Sequence, residues 1–505
     1  MSEQANLAWR CTVCGYVHRG PEPQDECSVC GSPKELFELY QKPGSAETAP
    51  QPKNWRCLVC NYVHSGELPP AICPVCASPA ERFEAITESA DTEPADNRLS
   101  ERIVVIGAGI AGIAAVETIR QHSENAAITL LAKEPHQPYY RLNLTRFLAG
   151  EIAEESLPIH SEEWYAENQI NLITDVQVSN ISSETKQVSS KDGSVYEYDK
   201  LILTAGAHPF VPPIPGAAME GVTTLRNLND AKFILNEAQN AKSIVVIGGG
   251  VLGLETAGAL VRQSADVTLL EGLGWLMPRQ LNKTAAELLK THIESIGITL
   301  MAGVTVQELK GDERVAGVQL KDGAILPADL VIITAGVRSN SYLARLAGLS
   351  VNFGVIVNDF MMTSTPAIYA AGDIAEHRGI VYGLWNAAQY QGSIAGMNAL
   401  GKNAEFGGIP RSNSLKVLGV DLLSIGRFLV EDGSDSVIEA ECEGNYSRYI
   451  FRDSHLVGCI LYGNTTISGE IKKAIESKHD FSGLLKDRPD AATVWNFFHK
   501  GVHQK

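Results

Sequence analysis

The sequence predicts an α/β chain, with two doubly wound folds, two small metal units ahead of them and an α+β domain behind. Three observations predict it. A β-branched run ending in a Gly-x-Gly-x-x-Gly turn occurs twice, at Ile103 and again at Ile244. Around these turns, strand-like and helical patterns alternate from Glu101 onward, which marks βαβ units and a parallel sheet. A four-cysteine pattern also occurs twice, within the first 84 residues.

At 505 residues the chain is long enough for three or four domains. No run approaches 18 apolar residues, so no membrane span is expected. The opening Met1-Ser2-Glu3-Gln4 lacks the basic and apolar regions of a signal peptide. A net charge of −17 disfavours nucleic acid and anionic membrane surfaces as partners. Eight of the ten cysteines sit in CxxC pairs, which reads as metal binding in a reducing, cytoplasmic compartment. The other two, Cys442 and Cys459, lie in apolar stretches and are expected to be buried and inert.

The metal units are expected over residues 7–40 and 53–86. Cys11, Cys14, Cys27 and Cys30 recur as Cys57, Cys60, Cys73 and Cys76, each displaced by 46 positions. Residues 9–38 and 55–84 are identical at 18 of 30 positions without a gap. Four thiolates at this spacing converge on one tetrahedral metal. A unit this small builds too little core alone, and a metal supplies the missing stabilisation. Trp9, Tyr16 and Phe37, with their copies Trp55, Tyr62 and Phe83, would pack beside it. Polar linkers at about residues 43–50 and 87–99 read as flexible tethers.

The first Gly-rich turn is Ile103-Val104-Val105-Ile106-Gly107-Ala108-Gly109-Ile110-Ala111-Gly112. Its glycines, Gly107, Gly109 and Gly112, permit a tight turn and close approach of a pyrophosphate to a helix N-terminus. The next strand, Ile128 to Leu131, ends near Glu134, a candidate for adenosine ribose hydroxyls. The second turn, with Gly248, Gly250 and Gly253, is followed by the strand Val267 to Leu270 and Glu271. An acid there bonds the 2′-hydroxyl of NAD and repels the extra phosphate of NADP. No arginine follows in the next few positions, which further favours NADH.

The segments Trp9 to His18 and Trp55 to His64 resemble rubredoxin, in the short form found at the end of rubrerythrins. That resemblance implies two mononuclear Fe(Cys)4 centres, one per unit, cycling between ferric and ferrous. Structural zinc is the alternative, since zinc ribbons use the same ligands. The tandem folds resemble the pyridine nucleotide–disulfide reductase superfamily through Leu203-Thr204-Ala205-Gly206-Ala207, Ile333-Thr334-Ala335-Gly336-Val337 and Ile368-Tyr369-Ala370-Ala371-Gly372-Asp373. The stretch Glu134 to Gly150 narrows the match to the branch of NADH:rubredoxin reductases and the flavin portion of assimilatory nitrite reductases.

The resemblance implies two interleaved Rossmann-like domains, one for FAD over 101–220 and 326–404, the other for NAD over 221–325. An α+β C-terminal domain follows over 405–505. It implies that Ala205, Gly372 and Asp373 bind FAD, with Asp373 on the ribityl chain, and that Arg141 and Arg146 contact the flavin cofactor. Glu255 matches an acid near the nicotinamide and flavin rings.

Residues 101–441 contain no cysteine, which excludes a flavin-to-dithiol relay. The sequence therefore predicts electron flow from NADH through FAD to the iron units, and on to a redox protein such as a rubrerythrin-like peroxidase or a diiron flavoprotein. Two further readings stay open. Oxygen or peroxide could take the flavin's electrons, or the metal units could be zinc-ribbon docking modules.

Overall fold

The structure, a computed structural model, describes residues 8–11, 17–19, 22–25, 33–40, 54–57, 63–65, 80, 83–86 and 101–502, the last stretch without 264, 409–411 and 431. The two N-terminal repeats form the same small sheet. Strand Ala8–Cys11 lies between Val17–Arg19 and Phe37–Tyr40, and strand Asn54–Cys57 lies between Val63–Ser65 and Phe83–Ile86, all antiparallel. Register is shared as well: Cys11 lies opposite Phe37, and Cys57 opposite Phe83. The backbones of Cys11 and Cys57 end the central strands. The metal ligation expected of these two, and of Cys14, Cys27, Cys30, Cys60, Cys73 and Cys76, falls outside the described residues.

The rest of the chain divides into two compact units. The first takes in 101–141, 155–208 and 338–409; the second takes in 142–154, 209–337 and 410–505. In the first unit, a five-stranded parallel sheet runs in the order Ile368–Ala370, Lys200–Leu203, Arg102–Ile106, Ala127–Leu131, Ile170–Ile173. Apart from the edge strand Ile170–Ile173, its strands are mostly buried and apolar, as a sheet covered on both faces requires. The outermost strand, Ile368–Ala370, arrives only after the whole second fold, so the two folds are interleaved. Helix Ile110–His122 packs against helix Trp385–Ala399. Small residues make this approach close: a Cβ at Gly392 would lie 2.1 Å from the Ala111 carbonyl oxygen.

The second unit repeats the plan. Its parallel sheet runs Val222–Thr224, Leu330–Ile333, Ser243–Ile247, Asp266–Glu271, Ile298–Ala302. In both sheets the strand leading into the Gly-rich turn is central. In both, a three-stranded antiparallel meander precedes a strand next to it: Val178–Ser182, Gln187–Ser190 and Val195–Glu197 in one, Val306–Gly311, Val315–Leu320 and Ile325–Pro327 in the other.

The C-terminal part is α+β. Five antiparallel strands run Ser412–Val417, Val420–Gly426, His455–Tyr462, Asn445–Arg452, Ser436–Cys442. Helices Ser468–Glu476 and Ala491–Val502 share a core with them, built around Tyr449, Phe451, Cys459, Phe481 and Phe498. Cys459 is fully buried and its thiol pKa is pushed up by burial, as an inert thiol should be. Cys442 is exposed, which corrects the expectation of burial. It ends the outermost strand of the sheet, beside the Glu443-Gly444 turn, where the apolar pattern no longer faces a core.

Candidate functional site

Each Gly-rich turn is built by the same steric logic. Gly107 has φ +108°, and a Cβ there would lie 2.4 Å from the Thr204 carbonyl oxygen. A Cβ on Gly112 would fall 2.0 Å from the Gly107 carbonyl oxygen. Gly248, at φ +121°, and Gly253 repeat both restrictions, against the Thr334 carbonyl oxygen at 2.6 Å and the Gly248 carbonyl oxygen at 1.8 Å. The middle glycines differ. At Gly109 and Gly250 an added Cβ would meet nothing within 4 Å. These two residues precede helices Ile110–His122 and Val251–Val261 and offer no side-chain cap. The first N–H groups of each helix are thus left for an anion, and a bare glycine lets its backbone come close.

Two threonines, each directly after the strand beside its turn, tie the turns down. Thr204 Oγ1 donates to the carbonyls of Ile106 at 3.1 Å and Gly107 at 2.7 Å. Thr334 Oγ1 does the same to Ile247 and Gly248, both at 3.1 Å. Neither threonine was singled out as a site residue from the sequence. The signal was present, since both stand at the same place in the repeated Thr-Ala-Gly return.

In the first unit, Glu134 and Arg141 come together. Arg141 Nη2 lies 2.5 Å from Glu134 Oε1, the Tyr139 hydroxyl donates to Glu134 Oε2 at 2.7 Å, and the guanidinium sits 5.0 Å from the Tyr139 ring centroid. Burial works against the Arg141 charge, but Tyr139 and Glu134 outweigh it and raise its pKa. Ala205 and Asp373 are joined through one segment: Asn340 Nδ2 donates to the Ala205 carbonyl and Ser339 Oγ to the Asp373 carbonyl, each at 2.7 Å. Gly372, at φ +82°, donates its N–H to Gln391 Oε1 at 2.9 Å. On helix Trp385–Ala399, the buried donors Trp385 Nε1 and Gln391 Nε2 find no partner among the described residues. Such donors are costly when left alone and fit a polar ligand that is bound there. With the open Gly109 turn, these residues fit a flavin dinucleotide.

In the second unit, Glu271 lies under the turn. Its Oε2 accepts from Gly249 N at 2.9 Å and its Oε1 from Leu273 N at 2.7 Å. Only 9 % of the residue is exposed. The carboxylate therefore sits at the end of its strand, oriented by two backbone amides, as a ribose-binding acid needs.

Glu255, on helix Val251–Val261, accepts from Thr145 Oγ1 at 2.9 Å. Burial pushes its pKa up to about 7; the Thr145 bond pulls the other way, and the Glu151 charge adds to the rise. Arg146 and Arg262 both pair with Glu151, Arg146 Nε at 3.1 Å. Burial raises the Glu151 pKa, but the two arginines outweigh it and lower it overall. Both cations are thus engaged by Glu151, while Glu255 has a neutral hydroxyl for a partner.

Three family models match the chain. The model of the pyridine nucleotide-disulphide oxidoreductases matches residues 101–392, that of the rubredoxin NAD+ reductase C-terminal domain matches 412–479, and that of the rubrerythrin rubredoxin-like domain matches 9–38 and 55–84. A nitrite reductase [NAD(P)H] of Bacillus subtilis is 36 % identical over 389 residues, covering 76 % of this chain and 48 % of its own length. An NADH-rubredoxin oxidoreductase of Clostridium acetobutylicum is 29 % identical over 386 residues, covering 76 % of this chain and 97 % of its own. The crystal structure of the NADH:rubredoxin oxidoreductase from that organism superposes with a TM-score of 0.68 at 28 % identity, covering 79 % of this chain and 99 % of that one. The chain spans about half the length of the Bacillus subtilis relatives it matches. Among the described residues, no helix is long and apolar enough to cross a membrane.

Proposed function

The chain belongs to the pyridine nucleotide–disulphide oxidoreductase family, and on that premise we propose that it oxidises NADH through FAD and delivers the electrons to two iron centres in its own rubredoxin-like units. A redox protein, rubrerythrin-like or a diiron flavoprotein, then receives them in the cytoplasm. One observation carries the reading furthest. A single polypeptide joins the two-nucleotide fold, the C-terminal domain model of rubredoxin NAD+ reductases and two rubredoxin-like units. The absence of cysteine from 101–441 supports it, because no dithiol stands ready between flavin and acceptor.

The balance is simple. One NADH would give up a hydride and become NAD+, releasing one proton, and two one-electron iron acceptors, when bound, would take up its two electrons. FAD, when bound, supplies the exchange between a two-electron donor and one-electron acceptors. The protein supplies binding and orientation. Residues 101–220 and 326–404 hold FAD through the Gly107 turn, Glu134, Arg141, Ala205, Gly372 and Asp373. Residues 221–325 hold NADH through the Gly248 turn and Glu271. Burial favours the neutral form of the Glu255 carboxyl and Thr145 orients it, so Glu255 would stand by the nicotinamide as a polar positioning group. The eight N-terminal cysteines would hold the iron, four to each atom.

Metal content tests the reading. Anaerobically purified protein should carry about two iron atoms per chain and no acid-labile sulfide, since each centre is mononuclear. Full occupancy by zinc after growth in iron-replete, zinc-limited medium would favour docking modules instead.

A further inference from the structure

The C-terminal sheet is bonded to both elements that frame the second Gly-rich turn. One is the loop 272–281, which follows Glu271. Its near end lies against the turn: Met277 N donates to the Gly249 carbonyl at 3.1 Å, and an added Cβ on Gly249 would fall 2.8 Å from Leu276 Cδ2. Leu276, Met277 and Leu281 are buried, and Met277 takes the left-handed conformation at φ +49°. Its far end is held by the C-terminal sheet. Ser424 Oγ donates to the Gln280 carbonyl at 2.5 Å. Asn282, which caps helix Lys283–Ser295, donates through Nδ2 to the Tyr446 hydroxyl at 2.7 Å, and that hydroxyl donates to Glu439 Oε2 at 2.7 Å.

The other element is helix Val251–Val261, which starts from the turn itself. Leu418, at φ +52° in the tight turn between strands Ser412–Val417 and Val420–Gly426, packs onto Gly258 of that helix. A Cβ at Gly258 would lie 1.9 Å from Leu418 Cδ2, so a larger residue there would push the Leu418 side chain aside. His292 Nε2 donates to the Leu418 carbonyl at 2.9 Å and fixes the turn in place. A left-handed leucine costs backbone energy, and it persists where the surroundings over-determine it.

We propose that the C-terminal domain is a positioning device for the nicotinamide nucleotide, with Tyr446 and Ser424 seating the loop 272–281 against the Gly-rich turn and Leu418 holding the helix behind it. This rests on the reading that residues 221–325 bind NADH. The domain then sets nucleotide affinity without touching the nucleotide. It is coupled to the site through a loop that Glu271 already grips from the other side, by its bond to Leu273 N.

The test uses the full-length flavoprotein. Tyr446→Phe keeps the ring and removes the hydroxyl, and Ser424→Ala removes the bond to Gln280. A loop seated only part of the time weakens affinity in proportion, so Kd for NAD+ and KM for NADH should each rise about fivefold. The limiting rate of flavin reduction and the FAD content should not change. Coupling is reciprocal, so NAD+ should slow amide exchange in strands Val420–Gly426 and Asn445–Arg452 of the unsubstituted protein. That measurement decides the matter should a variant fail to fold. Unchanged NAD+ affinity in folded variants, or exchange in these strands indifferent to NAD+, overturns the proposal. A chain that shows the coupling yet moves no electrons from NADH would sink the proposed function alone; one that binds no NAD+ would sink both.

Discussion

Thr145 hydrogen-bonds Glu255 at 2.9 Å across 110 residues of sequence, and the carboxyl that accepts this bond is one whose pKa burial has pushed up to about 7. Between pH 4.5 and 7 the folded chain keeps this proton while the unfolded chain, with an ordinary glutamate, has lost it. The folded state then binds more protons, so stability falls as pH rises through this window, by roughly 3 kcal/mol in all. Below pH 4.5 and above 7 the residue contributes no slope. Glu255→Gln should flatten that part of the stability–pH curve, and Thr145→Val should extend it to higher pH. Urea unfolding across pH 4.5–8 measures both; a Glu255→Gln curve with the parent's slope contradicts the assignment.

Glu271 should govern nucleotide choice. NADH should exceed NADPH in kcat/KM by at least about tenfold, or ~1.4 kcal/mol. Glu271→Ala should shrink that ratio and also raise KM for both nucleotides, because Gly249 N and Leu273 N lose their acceptor. Steady-state kinetics with the two nucleotides checks this, and equal use of both by the unsubstituted protein would refute it.

Gly109 and Gly112 should behave differently although they share one motif. Gly109→Ala meets open space, so the protein should keep its stability while the methyl obstructs the pyrophosphate and FAD content falls. Gly112→Ala collides with the Gly107 carbonyl, and should cost about 1–3 kcal/mol of stability besides losing flavin. Thermal melts paired with flavin quantification separate the two; equal destabilisation would contradict the open-turn geometry.

The threonine anchors give a paired test. Thr204→Val leaves carbonyls of the first turn without their side-chain donor and should cost about 1–3 kcal/mol and weaken FAD retention. Thr334→Val should leave FAD content alone and raise KM for NADH. Loss of flavin from both variants would show that the two turns are not independent.

Much of this was legible in the sequence where sterics constrain residue type. Gly107 and Gly248 need positive φ against a neighbouring carbonyl, and only glycine meets that, so spacing alone located both turns. Glu271 could be placed because strand length and turn position fix the strand's end. Thr204 and Thr334 were marked only by their shared place in the Thr-Ala-Gly return, since a β-branched side chain gives no sign of which carbonyl it will meet. Arg146 was assigned to the flavin on resemblance, and its pairing with Glu151, shared with Arg262, arises from tertiary placement that periodicity does not encode. Leu418 lies in Val-Leu-Gly-Val, and the contact of its side chain with Gly258, far away in sequence, is set by tertiary packing. Cys442 misled for the opposite reason: an apolar neighbourhood suggested a core, and the sheet placed it at an edge.

The central claim is the electron path from nicotinamide through flavin to the iron units of the same chain. Anaerobic single-turnover mixing with NADH tests it most directly, following the flavin and ferric bands together. The account predicts that flavin reduction is followed by bleaching of the ferric band, at a rate independent of protein concentration, and that both are lost or slowed together when nucleotide binding is weakened. Reduced flavin beside an unbleached ferric band, or bleaching whose rate rises in proportion to protein concentration, would contradict it.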